Sequence, residues 1–210
     1  MRKRARRLLA AITAASAIVS LVASPASAAS WTVSPGGFFT GVGPVQLANL
    51  RTGFVIACTS TILGNASGFG PLFRLTSVTF SGCVANYPIP VTVTAPYTGP
   101  ANPWTFAVTG VTSGGVTPGR LNGIEIQLDV PSAGCSAEVA GAGGLPGYVE
   151  GHHTNPANPG DPSTLSIPIL GAGNLAVTTL WSPCPTLVSS MGDEFAINAA
   201  YELSPGQTVS

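Results

Sequence analysis

Charge is scarce in this sequence. Only 8% of its 210 residues are Asp, Glu, Lys or Arg, against about a quarter in ordinary soluble domains. Five of the eight cations (Arg2, Lys3, Arg4, Arg6, Arg7) sit in the first seven residues, and no lysine follows Lys3. A basic face that could track a phosphate backbone is therefore missing, which removes nucleic acid as a partner. Long helical patterns are missing as well. With 26 Gly and 19 Pro breaking the chain at short intervals, a coiled coil or helical bundle is excluded. The nucleophile elbow G-x-S-x-G is absent, since Asn65 stands where Ser67 would need its first glycine. H-E-x-x-H and a phosphate-binding glycine loop are absent too. No catalytic residue and no cofactor is expected. Paired-carboxylate hydrolysis stays open because the spacing of two carboxylates is a property of the fold.

What is present begins with an export signal over residues 1–28. The basic head leads into an apolar stretch, Leu8 to Val22, and then Ala23-Ser24-Pro25-Ala26-Ser27-Ala28, where Ala26 and Ala28 form a small-x-small cleavage site. Fifteen residues rich in Ala and Ser are short for a hydrocarbon core of roughly 30 Å. The expected mature chain, 29–210, is a single domain that is secreted and makes no membrane contact after cleavage. It carries three cations (Arg51, Arg74, Arg120) against eight acids, a net charge of −5. All three cations precede residue 121, and all eight acids follow residue 124.

Apolar residues make up 45% of the chain, and they fall with the period of strands. Ile124, Ile126, Leu128 and Val130 alternate with Glu125, Gln127 and Asp129. Phe195, Ile197, Ala199, Tyr201 and Leu203 repeat the pattern, with shorter cases at Phe54-Ile56-Cys58, Val91-Val93, Leu165-Ile167-Ile169 and Leu175-Val177. The apolar phase slips between Leu75 and Val78, which predicts a bulge or bend near Thr76-Ser77. Turn residues every eight to twelve positions or so suit a sandwich or barrel. The expectation is an all-β antiparallel β-sandwich of roughly nine to thirteen strands.

Four cysteines, 58, 83, 135 and 184, imply two disulfides in an exported chain, with three connectivities possible on paper. A faint internal repeat selects among them. Cys58-Thr59-Ser60-Thr61-Ile62-Leu63-Gly64 resembles Cys135-Ser136-Ala137-Glu138-Val139-Ala140-Gly141, and Val78–Cys83 resembles Thr179–Cys184 in the same order. Two similar halves, about 29–120 and 121–210, with bridges Cys58–Cys83 and Cys135–Cys184, are the reading that treats both alike.

Several segments together resemble a group of small exported actinobacterial proteins: Ser34-Pro35-Gly36-Gly37, Thr79-Phe80-Ser81-Gly82-Cys83, Gly134-Cys135-Ser136-Ala137 and Tyr201-Glu202-Leu203-Ser204-Pro205. The resemblance spans most of the mature chain. It implies export, four paired cysteines and a β-rich fold, and it implies no activity and no site residue.

Two candidate sites remain. Glu150 and His152 share a face of an extended segment, and Asp161 could return to them from the proline-rich loop 155–162, a carboxylate–imidazole set suited to zinc or copper. With only two histidines in the chain, a solvated loop is the competing reading. Among the aromatics, Trp104 follows the turn Asn102-Pro103 and is expected to be exposed for ligand binding, whereas Trp181 is expected to pack beside the Cys135–Cys184 bridge. Function therefore divides between two classes. One is a non-enzymatic surface, matrix or ligand-binding module for a cell-surface glycan, a small apolar ligand or another surface protein. The other is a secreted hydrolase or metal-binding protein.

Overall fold

The computed structural model describes residues 31–86, 89–169, 171–186 and 188–210, so the expected leader lies outside the described residues. From the N-terminal side the strands are β1 (Val33–Ser34), β2 (Gly37–Asn49), β3 (Val55–Ala66), β4 (Phe73–Ala85), β5 (Thr92–Thr94), β6 (Trp104–Val108) and β7 (Val116–Ile124). They continue as β8 (Ile126–Val130), β9 (Cys135–Gly141), β10 (Gly147–Thr154), β11 (Ser163–Ile167), β12 (Leu175–Ser182), β13 (Phe195–Ser204) and β14 (Thr208–Val209).

The all-β expectation holds, but the sandwich does not. Eight strands close into an antiparallel barrel in the order β10-β11-β13-β2-β3-β4-β6-β7, with β7 pairing back to β10. A four-stranded sheet, β12-β9-β8-β5, and the two-stranded β1-β14 complete the fold. Closure has a local cause in β2, where glycines replace inward side chains. A Cβ on Gly43 would stand 1.8 Å from the Ala200 carbonyl oxygen of β13, so only glycine lets the long strands coil this tightly. The phase slip read from the sequence is present: Leu63 pairs with Ser77 and Gly64 with Leu75, leaving Thr76 as the extra residue of a bulge. The run Ile124–Val130 is split at Glu125, where the chain leaves the barrel for the smaller sheet. The boundary at 120/121 falls inside β7, and the two similar Cys segments lie in different sheets, Cys58 in β3 of the barrel and Cys135 in β9.

Each strand of the small sheet is an excursion from the barrel. β5 interrupts the path from β4 to β6, β8 and β9 that from β7 to β10, and β12 that from β11 to β13. Because the barrel is antiparallel, all these excursions leave from one end, and the sheet forms a cap over it. Ile126, Leu128, Val139 and Leu175 of the cap meet Leu47, Phe195 and Ile197 of the barrel. The opposite pole holds β1-β14, with Val209 buried.

Both disulfides follow the expected pairing. Cys58–Cys83 joins β3 to β4, with a Cα–Cα distance of 4.2 Å, and Cys135–Cys184 joins β9 to the segment after β12, at 4.4 Å. Cys58 and Cys135 are buried in phase with the aliphatics of their strands, as alternation requires.

Candidate functional site

The barrel interior leaves no room for a ligand. Phe39, Phe73, Phe106, Leu121, Leu165 and Leu203 fill it. The space left among Val45, Leu75, Trp104, Ile167 and Tyr201 is about 10 Å³, barely one water. Eight strands give a bore that side chains alone can occupy. Trp104, expected at the surface, is only 4% exposed and lines this interior, because β6 turns its first residue inward. Trp181 is the reverse case. Expected against the Cys135–Cys184 bridge, it is 47% exposed, in the half of the edge strand β12 after Val177 where no residue is buried.

The candidate metal set does not assemble. Glu150 and His152 do share the outer face of β10, but the Arg120 guanidinium occupies Glu150, donating to Oε1 at 3.1 Å while resting 4.1 Å from the Tyr148 ring centroid. Asp161 turns into its own loop, accepting from the backbone N–H of Asn158 at 3.1 Å and from its amide at 2.8 Å. Among the described residues no three His, Cys, Asp or Glu side chains are grouped to hold a metal ion. The second histidine, His153, points inward from β10 and is fully buried, with neither ring nitrogen partnered. Burial, and then the charge of His152, hold its pKa at about 4. The Tyr201 hydroxyl, buried and bonded to the Ser60 hydroxyl at 3.2 Å, is pushed up to about 12 by desolvation.

Under the cap, Asp193 ties the β12–β13 connection to the turn after β2. Arg51 donates to it through Nε and, at 2.9 Å, through Nη2. The Asn49 amide (2.8 Å) and the Ser190 backbone N–H (2.8 Å) also donate. The Arg51 hydrogen bond, followed by those of Asn49 and Ser190, holds the Asp193 carboxyl at about 2, against the opposing effect of burial. Beside this connection an open groove of about 600 Å³ runs along Val149, Ile169, Leu175, Glu194 and Phe195.

The uncapped pole carries the three most exposed large apolar side chains among the described residues. Phe38, where β2 begins, is 85% exposed; Phe69, in the β3–β4 hairpin, 89%; and Val111, in the β6–β7 hairpin, 78%. Phe38 sits opposite Asn65, four residues before Phe69, and β3, β4, β6 and β7 are successive barrel strands, so the three tips crown one end. In the described connections of that end (31–38, 67–72, 109–115, 155–162 and 205–210) Asp161 is the only charged side chain, and exposed Arg74 stands beside them on β4, across Asn65 from Phe38. Below the crown the outside of the wall mixes Thr40, Gln46, Thr59, Thr79 and Ser81 with exposed Val42, Leu63 and Val84. A membrane-spanning barrel instead carries a continuous apolar outer band. Alternation does not find the crown, because Phe69 and Val111 lie in turns and Phe38 takes an outward position at the start of β2. Their signal is an apolar residue among glycines, as in Gly36-Gly37-Phe38, Gly68-Phe69-Gly70 and Gly110-Val111.

Fold and surface together define a disulfide-linked β-barrel with a full interior, a Thr- and Ser-rich wall and an apolar pole. The chain belongs to the family described as alkane oxidation protein activator PraA/PraB-like, which it matches over residues 1–158. The match ends in the β10–β11 connection and contains the whole crown; β11 and β13, which complete the barrel, follow it. No curated protein and no solved structure matches the chain.

Proposed function

We propose that this chain is an exported, non-enzymatic accessory to alkane oxidation that adsorbs at the hydrocarbon–water interface through Phe38, Phe69 and Val111. The observation that carries this reading is the crown itself: three large apolar side chains held out from one pole, with Asp161 and Arg74 the only charged side chains around them among the described residues. Moving an exposed Phe side chain from water into hydrocarbon contributes roughly 1.5–3 kcal/mol, so three such tips suffice to orient the molecule. The Thr- and Ser-rich wall then stays in water, and the adsorbed layer keeps hydrocarbon dispersed and accessible to whatever oxidises it. Membership of an activator family supports an assisting role rather than the oxidation step itself. Two disulfides suit an oxidising compartment, in line with export.

The test is pendant-drop tensiometry of hexadecane in buffer containing the purified mature chain. The expected result is a lowered interfacial tension that a Phe38→Ser, Phe69→Ser, Val111→Ser triple variant largely loses while its thermal midpoint stays put. A triple variant as surface-active as the parent overturns the reading.

A further inference from the structure

A second cleft, of about 360 Å³ and open to solvent, lies at the seam between barrel and cap. Its lining is Tyr97, Asn102, Pro103, Gly123, Glu125 and Pro146, and its size is within the roughly 300–1,000 Å³ of small-molecule sites. The β5–β6 connection forms one wall as a closed turn. Gly99 and Asn102 exchange backbone hydrogen bonds at 3.3 and 3.1 Å, and the Thr98 N–H donates to the Ala95 carbonyl at 3.1 Å. The floor is bare backbone. Gly123 has φ +88°, and a Cβ there would stand 3.2 Å from the Pro103 carbonyl oxygen and 3.4 Å from Trp104 Cα. Glycine therefore both permits the corner and keeps the cleft open.

The chemistry of the lining selects a ligand class. Tyr97 presents a half-exposed ring, and Pro103 and Pro146 add flat C–H faces. The Tyr97 hydroxyl, the Asn102 amide and the Glu125 carboxyl enter none of the side-chain hydrogen bonds among the described residues, so all three are free for a ligand. Burial, and then the nearby Glu138, raise the Glu125 carboxyl above its ordinary pKa. An anion would meet these two carboxyl groups. A calcium ion would find one carboxylate and one amide in the lining where it needs six to eight oxygens. A bare hydrocarbon would leave three polar groups unmatched. A molecule with an apolar C–H face and a rim of hydroxyls satisfies ring, amide and carboxyl together.

We propose that this cleft is a binding site for a neutral saccharide, with a pyranose ring stacked on Tyr97 and its hydroxyls hydrogen-bonded to Asn102 and Glu125. The site lies apart from the apolar crown, at the capped end, so a molecule adsorbed at hydrocarbon through one pole offers the saccharide site at the other.

Saturation-transfer NMR on the full mature chain, disulfides intact, tests this with glucose, galactose, mannose, N-acetylglucosamine, maltose and cellobiose. At least one of these sugars receives saturation. Tyr97→Ala weakens that binding roughly tenfold, the upper range for one aromatic contact, and Tyr97→Phe retains most of it. Tyr97→Ala leaves the hexadecane interfacial tension unchanged, so this assignment and the crown reading fail separately. No transfer to any of the six sugars, or transfer equal in parent and Tyr97→Ala, overturns the proposal.

Discussion

The imidazole of His153 meets the ring of Phe73 edge-on, with centroids 5.1 Å apart and planes at 67°. Phe73 in turn contacts Phe39 and Phe106, at 5.2 and 5.8 Å. The histidine completes an aromatic cluster and has no partner for a proton on either nitrogen.

Acid stability follows from that contact. Folded His153 titrates at about 4 against an ordinary 6.5, so between these values the unfolded chain binds the proton more readily. Stability is unaffected by this group above pH 6.5, falls as pH drops from 6.5 to 4, and levels off below, for a total of about 3 kcal/mol. His153→Phe should flatten the thermal midpoint across that window. A variant that keeps the parent's slope would remove His153 as the cause.

Asp193 acts in a lower window. Its folded value of about 2 lies below the ordinary 3.8, so its contribution is present above pH 4 and lost as pH falls toward 2. Asp193→Asn should cost about 1–3 kcal/mol at neutral pH through the weakened bonds to Arg51, Asn49 and Ser190. Urea unfolding at pH 7 and pH 3 measures it, and the gap between parent and variant should be narrower at pH 3.

Loss of either disulfide should lower stability by about 3–4 kcal/mol on the chain-entropy account, given loops of 25 and 49 residues. The local effects should differ. Cys58 and Cys83 join strands already paired over most of their length, whereas Cys184 leads into the connection that Asp193 holds down. The double variant Cys135→Ser, Cys184→Ser should therefore raise amide exchange in residues 188–194 ahead of the barrel strands.

Tryptophan emission should separate into two extremes, with half-buried Trp31 between them. Trp104, in the interior, should be blue-shifted and protected from acrylamide, and Trp181 quenched. In a Trp31→Phe background Trp181→Phe removes most of the quenchable signal, while Trp104→Ala costs about 3–5 kcal/mol as a large core truncation. Strong quenching that survives both Trp31→Phe and Trp181→Phe would contradict this placement.

The strands β8 and β13 were legible because their aliphatics alternate without interruption, and the same alternation placed Cys58 and Cys135 inside. β2 was not legible. Gly37, Gly41, Gly43 and Pro44 read as turn residues, yet they belong to a thirteen-residue strand whose missing side chains allow the barrel to close. A sandwich and a barrel demand the same in–out pattern, so alternation alone could not separate them. Trp104 and Trp181 were exchanged for a related reason. The sequence gives a tryptophan's distance from a turn or a cysteine, but burial depends on where the strand end lies relative to the barrel. Glu150 and His152 were correctly placed on one face, and Asp161 was lost to a local bond with Asn158 that no spacing rule reports.

The pairing of β2 with β13, and of β1 with β14, joins the first described strands to the last. During synthesis the seam cannot be sealed until residues 195–209 have emerged, so most of the polypeptide must wait with two strand edges uncovered. Such a chain is poorly suited to maturing piece by piece: the last long strand slots between β2 and β11 and fixes the circumference in a single closing event.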